Sequence, residues 1–301
     1  MTSLENFAEI ESLLSKLKTK PATSETSSTI IDKLENLIKT EKRKSTGVLQ
    51  KFRLDNQVAL VTGGSRGIGY ALAQALGEAG CKVAIASINF ENAKIASEKL
   101  QAQGIEALAI QVDVAQKSSV DEMLKRVVDT WGQIHIAVNN AGILEGGDFE
   151  AFPEDKWDQL IGVNLKGVFL CAQAEAQHML KNSYGKIINI GSISGHVSGA
   201  FQNEAIYETS KAGVIRMTKA MATEWADKGI TVNCISPGYI DTDMNNHPDC
   251  IPLHSKWLSS IPMRRFGDVS ELCGAALLLA SPLSSYMTGS DVLIDGGYVL
   301  W

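Results

Sequence analysis

No stretch of the 301 residues is apolar for long enough to cross a bilayer as a helix, and the first thirty residues lack the apolar core of a secretory signal. Glu5, Glu9 and Glu11 sit where a mitochondrial transit peptide avoids acids. Cysteine is sparse: Cys81, Cys171, Cys234, Cys250 and Cys273 are odd in number, scattered, and form no C-x-x-C pair. That excludes a disulfide framework or a zinc-finger spacing and suits a reducing compartment, so a cytoplasmic location is expected. Basic patches are also scarce. With 28 Lys and Arg against 34 Asp and Glu, the chain carries −6, and no Lys/Arg cluster is interleaved with aromatics. Nucleic acid and membrane are therefore not expected partners. The one short basic run, Lys42-Arg43-Lys44, reads as a helix end.

Glycine is nearly missing from the first 51 residues, where only Gly47 occurs. Leu4, Phe7, Ile10, Leu13, Leu14 and Leu17 recur at helical spacing, as do Ile30, Ile31, Leu34, Leu37 and Ile38, with the polar P-A-T-S-E-T-S-S between them. Residues 1–51 thus read as a helical extension and 52–301 as the main domain. From Gln57 onward, apolar runs alternate with helical patterns, which predicts an α/β fold with a doubly wound, seven-stranded parallel sheet. Strands are expected at Val58–Thr62, Lys82–Ala86, Ala107–Gln111, Ile134–Val138, Lys186–Ile190, Thr231–Ile235 and Asp291–Ile294. Ser119 with Glu122, and Asp268 with Glu271, have the spacing of capping boxes at helix starts.

What is abundant is glycine at one place. The first strand runs into T-G-G-S-R-G-I-G, with glycines at Gly63, Gly67 and Gly69, directly before a helical pattern from Tyr70 to Ala79. Gly63 permits a tight turn, Gly67 lets backbone approach phosphate, and Gly69 lets helix lie close to strand. The helix N-terminus offers free N–H groups and a positive dipole end to a pyrophosphate. Gly63, Ser65, Arg66, Gly67, Ile68 and Gly69 are the candidate contacts of a dinucleotide. Enzymes using NAD usually place an acid about 20 residues further on, for the ribose 2′-hydroxyl. Here Ser87 stands there, followed by Ile88 and Asn89, with no acid between Glu78 and Glu91. Arg66 could pair with a 2′-phosphate, or be a solvated loop residue. With Ser87 and Asn89 it favours NADP(H) over NAD(H).

Much later come Ser192, Tyr207 and Lys211. Tyr207 and Lys211 are four apart and share a helix face. A free tyrosine titrates near ~10, and a neighbouring ammonium favours its phenolate and lowers that value. The same pattern on a helix could also be plain packing. Ser192, after a strand, is placed to hydrogen-bond a carbonyl oxygen and the Tyr207 hydroxyl. Together these supply the proton that hydride chemistry on a carbonyl lacks.

With N-N-A-G at Asn139–Gly142 and S-P-G at Ser236–Gly238, the set resembles the short-chain dehydrogenase/reductase family, from about Leu54 to Trp301. The resemblance implies a nicotinamide-dependent oxidoreductase with Asn164, in V-N-L-K-G, as fourth catalytic member beside Ser192, Tyr207 and Lys211. It implies adenine recognition by Asp113 and Val114, and a ribose-lining turn at Asn140, Ala141 and Gly142 that also steadies the sheet. Pro237, Gly238, Ile240 and Thr242 match the segment contacting carboxamide and pyrophosphate. Asn245–Leu258 matches a lid. The stretch from Ser192 to Tyr207 and the ending I-D-G-G-Y-V-L-W resemble the NADP(H)-dependent sorbose reductase, mannitol 2-dehydrogenase and carbonyl reductase branch. Phe201-Gln202-Asn203-Glu204 departs from that branch. The implied substrate is a ketose-like ketone or its alcohol, with a 3-oxoacyl thioester, a 5-keto sugar acid or a non-catalytic binding role as alternatives. Ser194, His196, Gln202, Asn203 and Glu204 are the polar residues that could touch a sugar; for His196, packing or an oligomer contact is the favoured role. A homotetramer is implied, built on helices over Trp157–Lys181 and Tyr207–Asp227 and on the C-terminal strand.

Overall fold

The computed structural model describes residues 47–199 and 201–300. The helices expected before residue 47 lie outside the described residues, as does Trp301. Seven parallel strands form one sheet in the order β3-β2-β1-β4-β5-β6-β7. They are β1 Val58–Thr62, β2 Lys82–Ser87, β3 Ala107–Gln111, β4 Ile136–Asn139, β5 Gly185–Ile190, β6 Ile230–Pro237 and β7 Asp291–Ile294. All seven expected strands form; β4 starts two residues late, and just before it His135 accepts the Val58 N–H through Nδ1.

Strand β1 shows why the sheet must be covered twice. Val58 and Leu60 point into one core layer, Ala59 and Val61 into the other, and all four are buried. That period of two leaves no face for water. On one side lie α1 Gly67–Glu78, α2 Phe90–Ala102 and α8 Cys273–Ala280, whose Leu72, Leu76, Leu100 and Leu279 fill that layer. On the other lie α3 Lys117–Trp131, α5 Gly167–Met179 and α6 Ala205–Trp225. Each fully buried leucine contributes roughly 1.5–3 kcal/mol.

Helix α4, Glu154–Ile161, runs into α5 through a π-helical turn at Gly162–Lys166. The Asp268–Glu271 capping box forms. The expected box at Ser119 does not. The N-cap of helix α3 lies three residues earlier, at Gln116, and the Ser119 hydroxyl instead accepts the Asp113 N–H at 3.0 Å. The C-terminal strand ends at Ile294, and a turn at Tyr298–Leu300 follows it.

The crossovers reverse direction between β1 and β4, neighbours in the sheet. In such sheets, ligands bind beyond the strands' carboxyl ends at this reversal. The glycine loop follows β1 and N-N-A-G ends β4, so both open onto the same crevice.

Candidate active site

A cleft lies above the C-terminal ends of the central strands. Tyr207 and Lys211 line it from α6, Ser192 from the end of β5, Asn140 and Gly142 from the turn after β4. Ile68 lines it from α1, and Pro237, Gly238, Ile240 and Thr242 line it from the segment after β6. The two motifs far apart in sequence meet at one place.

The relay is braced from below. Lys211 is buried and donates its Nζ to the Ile190 carbonyl at 2.9 Å, and Nζ lies 5.7 Å from the Tyr207 ring centre. Burial lowers the Lys211 pKa to about 8. The expected lowering of Tyr207 is absent: burial raises it to about 12, against a smaller opposing effect from a hydrogen bond with Ser192. Desolvation of the phenolate outweighs an ammonium that is itself committed to a carbonyl.

Asn164 lies within the π turn, where the backbone's wider register departs from ordinary α-helical bonding. Its Oδ1 accepts from Ile143 N at 2.9 Å, and its Nδ2 donates to Ile143 O and to Ser210 Oγ. Asn164 thereby ties the loop after β4 to the helix turn just past Tyr207. Gly191 precedes Ser192 because a Cβ there would come within 2.8 Å of Cys234 Sγ.

The glycine loop fits a dinucleotide. Gly63 and Gly67 have φ of 63° and 53°, in the left-handed region where a side chain is strained. A Cβ on Gly69 would press into the Gly63 carbonyl oxygen. Arg66 occupies the N-cap of α1 without capping it through its side chain, which leaves the first-turn N–H groups for a phosphate. Gly67 faces Thr242 across the gap, where a Cβ would lie 3.7 Å from the Thr242 methyl. Asn140 donates Nδ2 to the Thr62 and Gly63 carbonyls, joining β4 to the glycine loop.

The remaining expected residues lie at the rim or in the core. Ser87 ends β2 and is buried, with Ser65 Oγ donating to its hydroxyl at 3.2 Å. Asn89 caps α2 by accepting the Asn92 N–H. Arg66 is exposed, 3.7 Å from Asp243. Asp113 accepts the Ala115 N–H at the mouth of the β3 loop. Val114 is buried against Gly167, so its side chain serves packing. Ala141 donates its N–H to Thr62 Oγ1.

Of the polar residues weighed for sugar contact, Ser194, Gln202 and Glu204 line the cleft. His196 instead bonds Asp291 at 2.6 Å, and Asn203 donates to Asp148. Sequence reasoning missed Tyr239 and Met244, and the apolar wall of Ile143, Leu144 and Ile193; Asn245, which also lines the cleft, opens the segment expected as a lid. Tyr239 was within reach, since it directly follows S-P-G. The segment expected as a lid contains α7, His254–Ser260, whose buried Trp257 stacks on Tyr239 at 4.5 Å. Among the described residues no helix is long and apolar enough to cross a membrane, and no cluster of His, Cys, Asp and Glu could hold a metal.

Residues 63–299 match a family model described as enoyl-(acyl carrier protein) reductase. A 3-oxoacyl-[acyl-carrier-protein] reductase of Staphylococcus epidermidis is 41% identical over 243 residues, covering 80% of this chain and 98% of the relative. A short-chain type dehydrogenase/reductase from Mycobacterium marinum superposes with a TM-score of 0.82 at 42% identity, over 84% of this chain and 99% of that one. A gluconate 5-dehydrogenase from Burkholderia cenocepacia, solved with NADP and tartrate, gives 0.81 at 38% identity, over 85% and 100%. Sheet order, glycine loop and cleft agree with these likenesses, and the chain belongs to the short-chain dehydrogenase/reductase family of oxidoreductases.

Proposed function

We propose that the protein is an NADPH-dependent reductase of 3-oxoacyl thioesters, with Asn164, Ser192, Tyr207 and Lys211 as its catalytic set. The observation that carries the substrate class is the 41% identity to a 3-oxoacyl-thioester reductase over nearly that relative's whole length. The apolar wall of Ile143, Leu144 and Ile193 suits an acyl chain beside the reacting carbonyl. The ketose expected from sequence becomes the second reading, favoured by Gln202, Glu204 and Asn245 on the same cleft.

Gly63, Ser65, Arg66, Gly67, Ile68 and Gly69 would hold the dinucleotide, with Asp113, Asn140, Thr242 and their neighbours around it. A reduced nicotinamide bound there would supply a hydride to the carbonyl carbon. Ser192 donates a hydrogen bond to the carbonyl oxygen and fixes its place. Tyr207 gives that oxygen a proton. A tyrosine whose pKa is pushed up to about 12 keeps its proton at neutral pH until an alkoxide, a stronger base, forms beside it. Lys211, as ammonium, stabilises the phenolate left behind, and Asn164 holds the loop and helix that aim the pair.

Preference for NADPH rests on Ser87 and Arg66. An exposed pair at 3.7 Å such as Arg66–Asp243 is worth under about 1 kcal/mol, so Arg66 is easily redirected to a 2′-phosphate. NADPH oxidation measured with the N-acetylcysteamine thioester of acetoacetate, with sorbose and with 5-ketogluconate tests the substrate class. The thioester should give the highest kcat/KM. A higher value for sorbose would transfer the assignment to the ketose reading.

A further inference from the structure

Glu204 lines the cleft three residues before Tyr207. It occupies the N-cap of α6, where a carboxylate could bond the helix's free N–H groups, but its side chain makes no such bond. Among the described residues its carboxyl has no hydrogen-bond or salt-bridge partner, although the residue is partly buried. The groups that act on it electrostatically are Glu208, Tyr207, Tyr239 and Cys250, none of them a cation. The cation in the cleft, Lys211, is bonded to the Ile190 carbonyl. A carboxyl group thus lines the cleft that holds Tyr207 with no cation paired to it among the described residues. Burial, then Glu208, pushes its pKa up to about 7.

We infer that Glu204 is a specificity-determining residue: it admits carbonyl compounds that are neutral or carry a hydrogen-bond donor near the reacting carbon and rejects those bearing a carboxylate there. A like charge placed beside it in a low-dielectric cleft is repelled, whereas an N–H or O–H satisfies it. The inference rests on the reading of this cleft as the active site, and it separates esterified 3-oxo acids from the free acids. It also disfavours 5-keto sugar acids.

The test uses the full chain with NADPH at pH 8 and the matched pair ethyl acetoacetate and acetoacetate. Wild-type protein should favour the ester in kcat/KM. Glu204→Gln should shrink the ester-to-acid ratio at least tenfold, and Glu204→Asp, which keeps the charge, should retain most of it. A Glu204→Gln variant that loses activity equally on both substrates would make the residue structural and overturn the inference. So would a wild type that prefers the acid. Should neither compound turn over, the same ratio is read from dissociation constants for the NADPH-bound protein, by NADPH fluorescence, and equal constants refute it. If the acetoacetyl thioester is not reduced but the Glu204-dependent ratio persists, the thioester assignment falls and the charge filter stands.

Discussion

At Lys211, burial and the neighbouring Cys234 act in opposite directions, and burial wins, leaving a pKa of about 8. On the proposed mechanism the ammonium is the useful form. It is present below that value and lost above it, so kcat/KM for reduction at saturating NADPH should fall on the alkaline side with an apparent pKa near 8. A profile flat from pH 6 to 10 would remove Lys211 from the relay. A second residue-scale prediction concerns Ser87. Ser87→Asp places a carboxylate where a 2′-phosphate would lie, so the NADPH to NADH ratio of kcat/KM should drop by at least tenfold. An unchanged ratio would show that cofactor choice is made elsewhere. The residue types and spacing of the relay were legible in the sequence. Its electrostatics were not, because the burial that raises Tyr207 depends on β5, α6 and the segment after β6 closing over it.

Helix α1 and its loop were readable as an element because three glycines at fixed offsets answer one steric problem. Gly69→Ala should test that reading: the new methyl meets the Gly63 carbonyl and the Asn140 side chain, so β1, α1 and the turn after β4 must part. A small-to-large change in packed structure costs roughly 1–3 kcal/mol. The melting temperature should fall by several degrees, and NADPH binding should weaken at least tenfold. Wild-type affinity in Gly69→Ala would mean that the close approach is dispensable. Other elements were hidden for physical reasons. Ser119 and Glu122 have capping spacing, but the Asp113 N–H claims the serine hydroxyl. The π turn at Asn164 has no sequence signal of its own, and the Asn164 side chain bonds Ile143 and Ser210, which are distant in sequence. The rim residues Tyr239 and Met244 were missed because a loop's path across a cleft is set by what it packs on, here Trp257 under Tyr239.

At the scale of the whole molecule, Glu175 contributes a pH dependence to stability. Glu175 is fully buried between sheet and helix, and among the described residues only Asn139 Nδ2 donates to its carboxyl, at 3.1 Å. Its Oε1 and the Asn139 Oδ1 lack partners, and burial raises its pKa from 4.5 to about 8. Between those values the folded state holds a proton that the unfolded chain releases. Stability contributed by neutral Glu175 is therefore full below about pH 4.5 and declines as pH rises to about 8. At roughly 1.4 kcal/mol per pKa unit the loss is on the order of a few kcal/mol. Glu175→Gln should melt above wild type at pH 8, with the gap closing toward pH 5; a constant gap would contradict this. The proposed homotetramer belongs to the same scale, since Trp157 and Phe169 remain exposed on α4 and α5. Light scattering should give four copies for the full chain, and a monomer would refute it. The central claim, that Tyr207 delivers the proton in an NADPH-driven carbonyl reduction, is tested most directly by Tyr207→Phe. Turnover of the acetoacetyl thioester should fall at least a thousandfold while the NADPH dissociation constant stays within a few-fold of wild type. Wild-type-like turnover in that variant would contradict the mechanism.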